Sequence, residues 1–169
     1  MIARVVRALT NLSVHEAIKD AIQSSSGIAQ LIKASTVHTS SADVAAGVCG
    51  ALRNLSATPK FAPLIVKSKG IAAVVAAATQ HARDELVLSG VAGVLQNLAA
   101  VSEETRKEIT DKGGLVTLNA ALKDHKKNGK LKKELSGALS NLKNQRADKF
   151  KRTPSPFSRR KVRPFRSPR

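Results

Sequence analysis

Gly50-Ala51-Leu52-Arg53-Asn54-Leu55-Ser56 has relatives elsewhere in the same chain. Its core returns as Ala8-Leu9-Thr10-Asn11-Leu12, as Val94-Leu95-Gln96-Asn97-Leu98 and as Ala138-Leu139-Ser140-Asn141-Leu142, in steps of 43, 43 and 44 residues. A second landmark keeps the same register: Gly27-Ile28, Gly70-Ile71 and Gly114-Leu115 each open an apolar stretch. His38, His81 and His125 supply a third. A fixed period between about 20 and 50 residues is the signature of a repeat architecture, in which no unit buries its apolar stripe alone.

Working outward from these landmarks, each complete unit reads as three helices. Val14 to Gln23, Gly27 to about Ser35 and Ala42 to Ser56 form the first set. Pro59 to Ser68, Gly70 to His81 and Asp84 to Ala100 form the second, and Glu103 to Lys112, Gly114 to Lys126 and Lys130 to Asn144 the third. Pro59 is tolerated in a first helical turn, Ser102 caps the helix that follows it, and Lys67, Lys69 and Lys112 complement the negative ends of helix dipoles. The helical period places Ala45, Val48, Leu52 and Leu55 on one buried stripe, with Val91, Leu95 and Leu98 matching them one unit on. The domain expectation is a solenoid over 1–145, with a partial repeat at 1–12 and full repeats at 13–56, 57–100 and 101–145, followed by a separate tail at 146–169.

Three helices per unit, a glycine before the second helix, and the Gly50 to Ser56 segment resemble the armadillo repeat. The resemblance covers about Ile2 to Gln145 and implies an all-α fold, a right-handed α-solenoid whose third helices line a concave groove. It further implies that Asn11, Asn54, Asn97 and Asn141 form a ladder gripping the backbone of an extended peptide, since a side-chain amide offers both a donor and an acceptor. An asparagine there can also satisfy loop carbonyls between repeats. The importin-α branch places a tryptophan four residues before the asparagine. Here Arg7, Gly50, Gly93 and Gly137 occupy that place, so the likeness is closer to β-catenin-type or general armadillo proteins.

Charge divides the chain. The net charge is +17, and the segment from Arg146 to Arg169 holds ten Lys and Arg against Asp148 alone. Along the expected groove, one helical face collects Arg4, Arg7, Asp43, Leu86, Lys130, Lys133 and Glu134, with Arg53 beside its asparagine. Basic ends around an almost uncharged middle suit an acidic extended partner. Ile2, Val5, Val6 and Leu9 begin a third helix with no first or second helix before it and are expected to leave apolar surface exposed, as in a fragment of a longer repeat protein or, second, an end that another chain covers.

In the tail, Phe150, Phe157 and Phe165 lie scattered among prolines and cations, a composition expected to be disordered unless bound. Lys149, Lys151, Arg152, Arg159, Arg160, Lys161, Arg163 and Arg166 are candidate contacts to a polyanion, whether nucleic acid or an acidic protein polymer. The Arg159-Arg160-Lys161 cluster also fits a nuclear-localisation signal. Thr153, Ser155 and Ser167 each precede proline and are candidate phosphorylation sites, where added negative charge weakens polyanion binding.

No phosphate-cradling glycine loop, nucleophile elbow or paired metal-ligand motif occurs, so the reading is non-catalytic, with no metal, cofactor or small-molecule substrate. The three histidines lie about one helix-packing distance apart, too far to share a zinc ion, and are expected to meet helix-end carbonyls instead. No apolar run reaches membrane-spanning length, and the single Cys49 among apolar neighbours fits a reducing cytoplasmic or nuclear setting. The leading expectation is a protein-interaction scaffold, the second a nucleic-acid or polyanion binder using the tail and the lysine-rich last repeat, and the third a truncated structural piece with no separate activity.

Overall fold

A computed structural model describes residues 2–24 and 26–143. The tail candidates Lys149, Lys151, Arg152, Arg159, Arg160, Lys161, Arg163, Arg166, Thr153, Ser155 and Ser167 lie outside the described residues. Within them the chain is helical throughout: α1 (Ile2–Leu12), then α2 (Glu16–Ser24), α3 (Gly27–Val37) and α4 (Ala42–Ser56). The second unit is α5 (Ala62–Lys67), α6 (Gly70–Gln80) and α7 (Glu85–Ala99). The third is α8 (Glu103–Asp111), α9 (Gly114–Asp124) and α10 (Gly129–Lys143).

The third helices of successive units stack in the order α1, α4, α7, α10, and the second helices in the order α3, α6, α9. The stripe foreseen on α4 is the core: Ala45, Val48, Leu52 and Leu55 are buried, as are Val91, Leu95 and Leu98 on α7. Small residues set how closely the rows approach. A Cβ on Gly90 would stand 2.7 Å from Cys49 Cβ, and one on Gly47 would stand 2.8 Å from Val6 Cγ1. Those glycines let α7 meet α4, and α4 meet α1, nearly backbone to backbone.

The corner between first and second helices repeats with equal strictness. A Cβ on Gly70 or Gly114 would fall 2.5 Å from the Cγ2 of Ile65 or Ile109 and 2.8 Å from that residue's carbonyl oxygen. The residue just before each glycine is left-handed: Ser26 at φ 56°, Lys69 at φ 62° and Gly113 at φ 85°. Capping follows local chemistry. The Ser102 hydroxyl accepts from Thr105 N–H at 3.2 Å, and Asp84 accepts from both Leu86 and Val87 N–H at 2.9 Å.

Two readings of the sequence need correction. Pro59 is not in a first helical turn; it belongs to the turn before α5, and Pro63 takes that role at the helix start. Val6 is buried, because it points into the space left by Gly47, whereas Ile2 and Val5 are 43% and 54% exposed.

Candidate functional site

The face formed by α1, α4, α7 and α10 carries every residue expected in the groove, and its organising feature is how each asparagine is held. Asn54 Nδ2 donates to the Thr10 carbonyl at 2.9 Å and to Ser13 Oγ at 3.1 Å. Asn97 Nδ2 donates to the Arg53 carbonyl at 3.2 Å and to Ser56 Oγ at 3.1 Å. Asn141 Nδ2 donates to the Gln96 carbonyl at 3.1 Å; Ala99 stands where the earlier repeats have Ser13 and Ser56, so the second bond is missing. Each bond ties the end of one third helix to the end of the one before it, adding a donor from the next repeat to carbonyls of the last helical turns, where helix ends need extra partners.

This changes what the ladder can offer. The donor half of each amide serves the fold, while the Oδ1 atoms of Asn54, Asn97 and Asn141 accept no hydrogen bond among the described residues. What remains is a row of oriented acceptors, one per repeat, with the side-chain rotamers already fixed. Asn11 is exposed on α1.

The glycines in the tryptophan position are explained by the same stacking. The side chain immediately before each asparagine lies over the glycine of the next repeat: a Cβ on Gly50 would meet Thr10 Cγ2 at 2.8 Å, and one on Gly93 would meet Arg53 Cδ at 2.4 Å. On Gly137 it would stand 3.3 Å from Gln96 Nε2. Arg53 thus crosses α7 on the floor left bare by Gly93. Its guanidinium reaches Ser89 Oγ and Glu134 Oε1, each at 3.3 Å, and so spans α4, α7 and α10. Glu134 occupies the place of Gly47 and Gly90 in the earlier repeats; its other oxygen, Oε2, is buried without a hydrogen-bond partner.

The remaining cations divide into paired and free. Arg7 pairs with Asp43 at 3.2 Å in the open, so it is screened by solvent. Lys130 and Lys133 are exposed on α10 with no acidic partner among the described residues. Between these ends Leu86 projects from α7, 69% exposed. Sequence reasoning placed all of these on one face but missed that Arg53 is held by Glu134, because the two are 81 residues apart and meet only through Gly93.

Two of the three matched histidines meet carbonyls. His81 Nε2 donates to the Thr39 carbonyl at 2.8 Å and His125 Nε2 to the Ala82 carbonyl at 2.9 Å, each one repeat back. Cys49 is fully buried, and burial pushes its thiol from an ordinary 9.0 up to about 12, so it stays protonated and unreactive. No group of metal-ligating side chains occurs among the described residues, and no helix among them is long and apolar enough to cross a membrane.

Known structures share this architecture. An engineered protein matches at TM-score 0.71 and 26% identity over 84% of this chain and 34% of its own. A designed armadillo repeat protein matches at TM-score 0.70 and 18% identity, covering 83% of this chain and 58% of that one. A second designed armadillo repeat protein, in complex with the peptide (KR)4, matches at TM-score 0.70 and 17% identity, over 83% and 57%. The chain therefore has an armadillo-like repeat fold. It spans less than two thirds of the length of each of these structures. No family model and no curated protein matches the sequence.

Proposed function

We propose that this chain is a non-catalytic scaffold that receives an extended protein segment along the α1, α4, α7 and α10 face. The observation that carries this is the row of asparagine amides, each pinned by its own NH2 and each presenting a free Oδ1 to accept a peptide N–H. Acceptors already fixed in place cost little ordering on binding. Leu86 offers apolar contact at the centre, and Lys130 and Lys133 favour acidic residues at one end of the segment. A similar repeat protein is in complex with a peptide, (KR)4, whose charge is opposite to the one favoured here.

A second reading, polyanion binding, draws on a different surface. Lys123, Lys126, Lys127, Lys130, Lys132 and Lys133 are all exposed at the end of the stack, next in sequence to the basic tail. Salt separates the two. Nucleic-acid affinity falls steeply with ionic strength in proportion to the phosphates neutralised, whereas groove binding falls less.

The test is affinity capture with the full chain after nuclease treatment, followed by titration of the captured segment against Leu86→Glu and Asn97→Ala. Leu86→Glu leaves the core untouched and is expected to weaken groove binding by about tenfold, on the order of one lost apolar contact. If capture vanishes with nuclease, or the segment binds Leu86→Glu as well as wild type, the groove reading fails and the lysine surface takes its place.

A further inference from the structure

Each unit begins its first helix beside the ends of two stacked third helices, and the space there is filled differently in the three repeats. In the first, Lys19 is buried, and its ammonium donates to Glu16 Oε1 at 2.7 Å and to Thr58 Oγ1 at 2.9 Å. In the third, Arg106 is buried, and its guanidinium donates to the Ala99 carbonyl at 3.0 Å. In the second repeat the same place belongs to Ala62. Both partners of Lys19 are exchanged with it: Pro59 stands in the place of Glu16, and Val101 in the place of Thr58. Cation, carboxylate and hydroxyl have all been replaced by apolar groups at one site. What results is an open pocket of 330 Å³ walled by Ala57, Pro59, Ala62, Ala100 and Val101, with Ser56 and Asn97 also in its lining.

We propose that this pocket receives an aliphatic side chain of the partner's extended segment, at the register where Asn97 accepts a backbone N–H. The proposal rests on the groove reading above and adds a sequence preference to it. No residue lining the pocket is charged, so a lysine, arginine or carboxylate entering it would lose hydration with no opposite charge to replace it. The sister repeats show the requirement directly, because the buried cations Lys19 and Arg106 each come with an oxygen acceptor. A volume at the lower end of the roughly 300–1,000 Å³ typical of ligand sites suits a branched side chain rather than a cofactor. The equivalent places hold the buried ammonium of Lys19 and, in the third repeat, an opening lined by the charged Glu103, Glu104, Arg106 and Lys107, so the aliphatic preference applies at one position of the segment and not at its neighbours.

The experiment is a methyl NMR titration of the full chain, labelled at Ala and Val, with N-acetyl-leucine methylamide and its lysine and aspartate counterparts. The leucine probe is expected to shift the Ala57, Ala100 and Val101 methyls saturably, with a Kd on the order of 1 mM for so small a ligand. The charged probes are expected to bind at least about tenfold more weakly. Ala62→Arg, which installs the residue of the third repeat, is expected to abolish the shifts. Ala62→Leu fills the same space without charge and is expected to do the same, so the outcome does not hang on one variant folding. Equal shifts from the lysine or aspartate probe, no saturation by leucine, or shifts that survive both substitutions would overturn the proposal. Failure of the groove reading leaves a different trace: the leucine probe saturates, yet a captured partner binds Leu86→Glu, Ala62→Leu and wild type alike. In that case the pocket exists but no partner segment reads it, and the assignment is overturned.

Discussion

At Asn97 the two halves of one amide have separate duties: Nδ2 donates to the Arg53 carbonyl and the Ser56 hydroxyl, and Oδ1 accepts no hydrogen bond among the described residues. Removing the side chain deletes both bonds between the repeats, while the Arg53 carbonyl keeps the Ala57 N–H and the Ser56 hydroxyl, so Asn97→Ala is expected to cost about 1 kcal/mol in urea unfolding. Asn97→Asp keeps the shape but loses the donor and sets a carboxylate oxygen against the carbonyl. It is expected to cost more than alanine; a cost equal to or below that of alanine would mean the hydrogen bond does not hold the stack. Cys49 offers a second test at the same scale. Its thiol is held protonated to about pH 12 in the fold, whereas the unfolded chain ionises it near 9. The unfolded state therefore binds fewer protons between those values, and stability falls as pH rises through the window. The difference in urea midpoint between wild type and Cys49→Ala, followed from pH 8 upward, should narrow or reverse across that range.

Among the elements, the corner between α5 and α6 is as tight as the one between α8 and α9. Gly70→Ala would drive a methyl to 2.5 Å from Ile65 Cγ2 and 2.8 Å from its carbonyl, and the backbone oxygen cannot move aside cheaply. A loss of about 1–3 kcal/mol is expected, read as a lowered denaturation midpoint without a changed slope. Lys69, just before it, is left-handed at φ 62°, so Lys69→Gly is expected to be neutral or to stabilise by up to about 1 kcal/mol. Much of this was legible in the sequence. Gly27, Gly70 and Gly114 marked the corners, and the asparagine register gave the third helices almost to the residue, because spacing alone carries that information. The reason for the glycines was not legible, since the isoleucine each one meets lies across a turn whose closeness only coordinates reveal. Pro59 misled because Pro63, four residues on, satisfies the same rule and starts the helix. The exchange of Lys19 for Ala62 could have been found by aligning the units. Its meaning needed the hydrogen bond from Lys19 to Thr58, which joins side chains from different repeats.

On the scale of the whole molecule, stability in a solenoid is close to a sum of unit terms and nearest-neighbour interfaces, so unequal interfaces should open unequally. Between α3 and α6 a pocket of 150 Å³ remains, lined in part by Ala45, Ala73 and Ala77. One repeat on, Leu88 stands in the place of Ala45 and is buried. Ala45→Leu is thus expected to fill the first interface and stabilise it by about 0.5–2 kcal/mol. The ends differ more sharply. Val48, Leu52 and Leu55 of α4 are buried under their own first and second helices, while their equivalents on α1, Val5, Leu9 and Leu12, lack that cover. The central α7 packs against both α4 and α10 and has the most completely buried apolar face. Native-state hydrogen exchange should therefore rank protection as α7 highest, α4 and α10 lower, and α1 least, with Ala45→Leu raising α3 and α4 before α9 and α10. If the ten helices of the described residues instead exchanged with one free energy, the interfaces would be coupled into a single cooperative unit. Filling one pocket would then raise protection everywhere by the same amount.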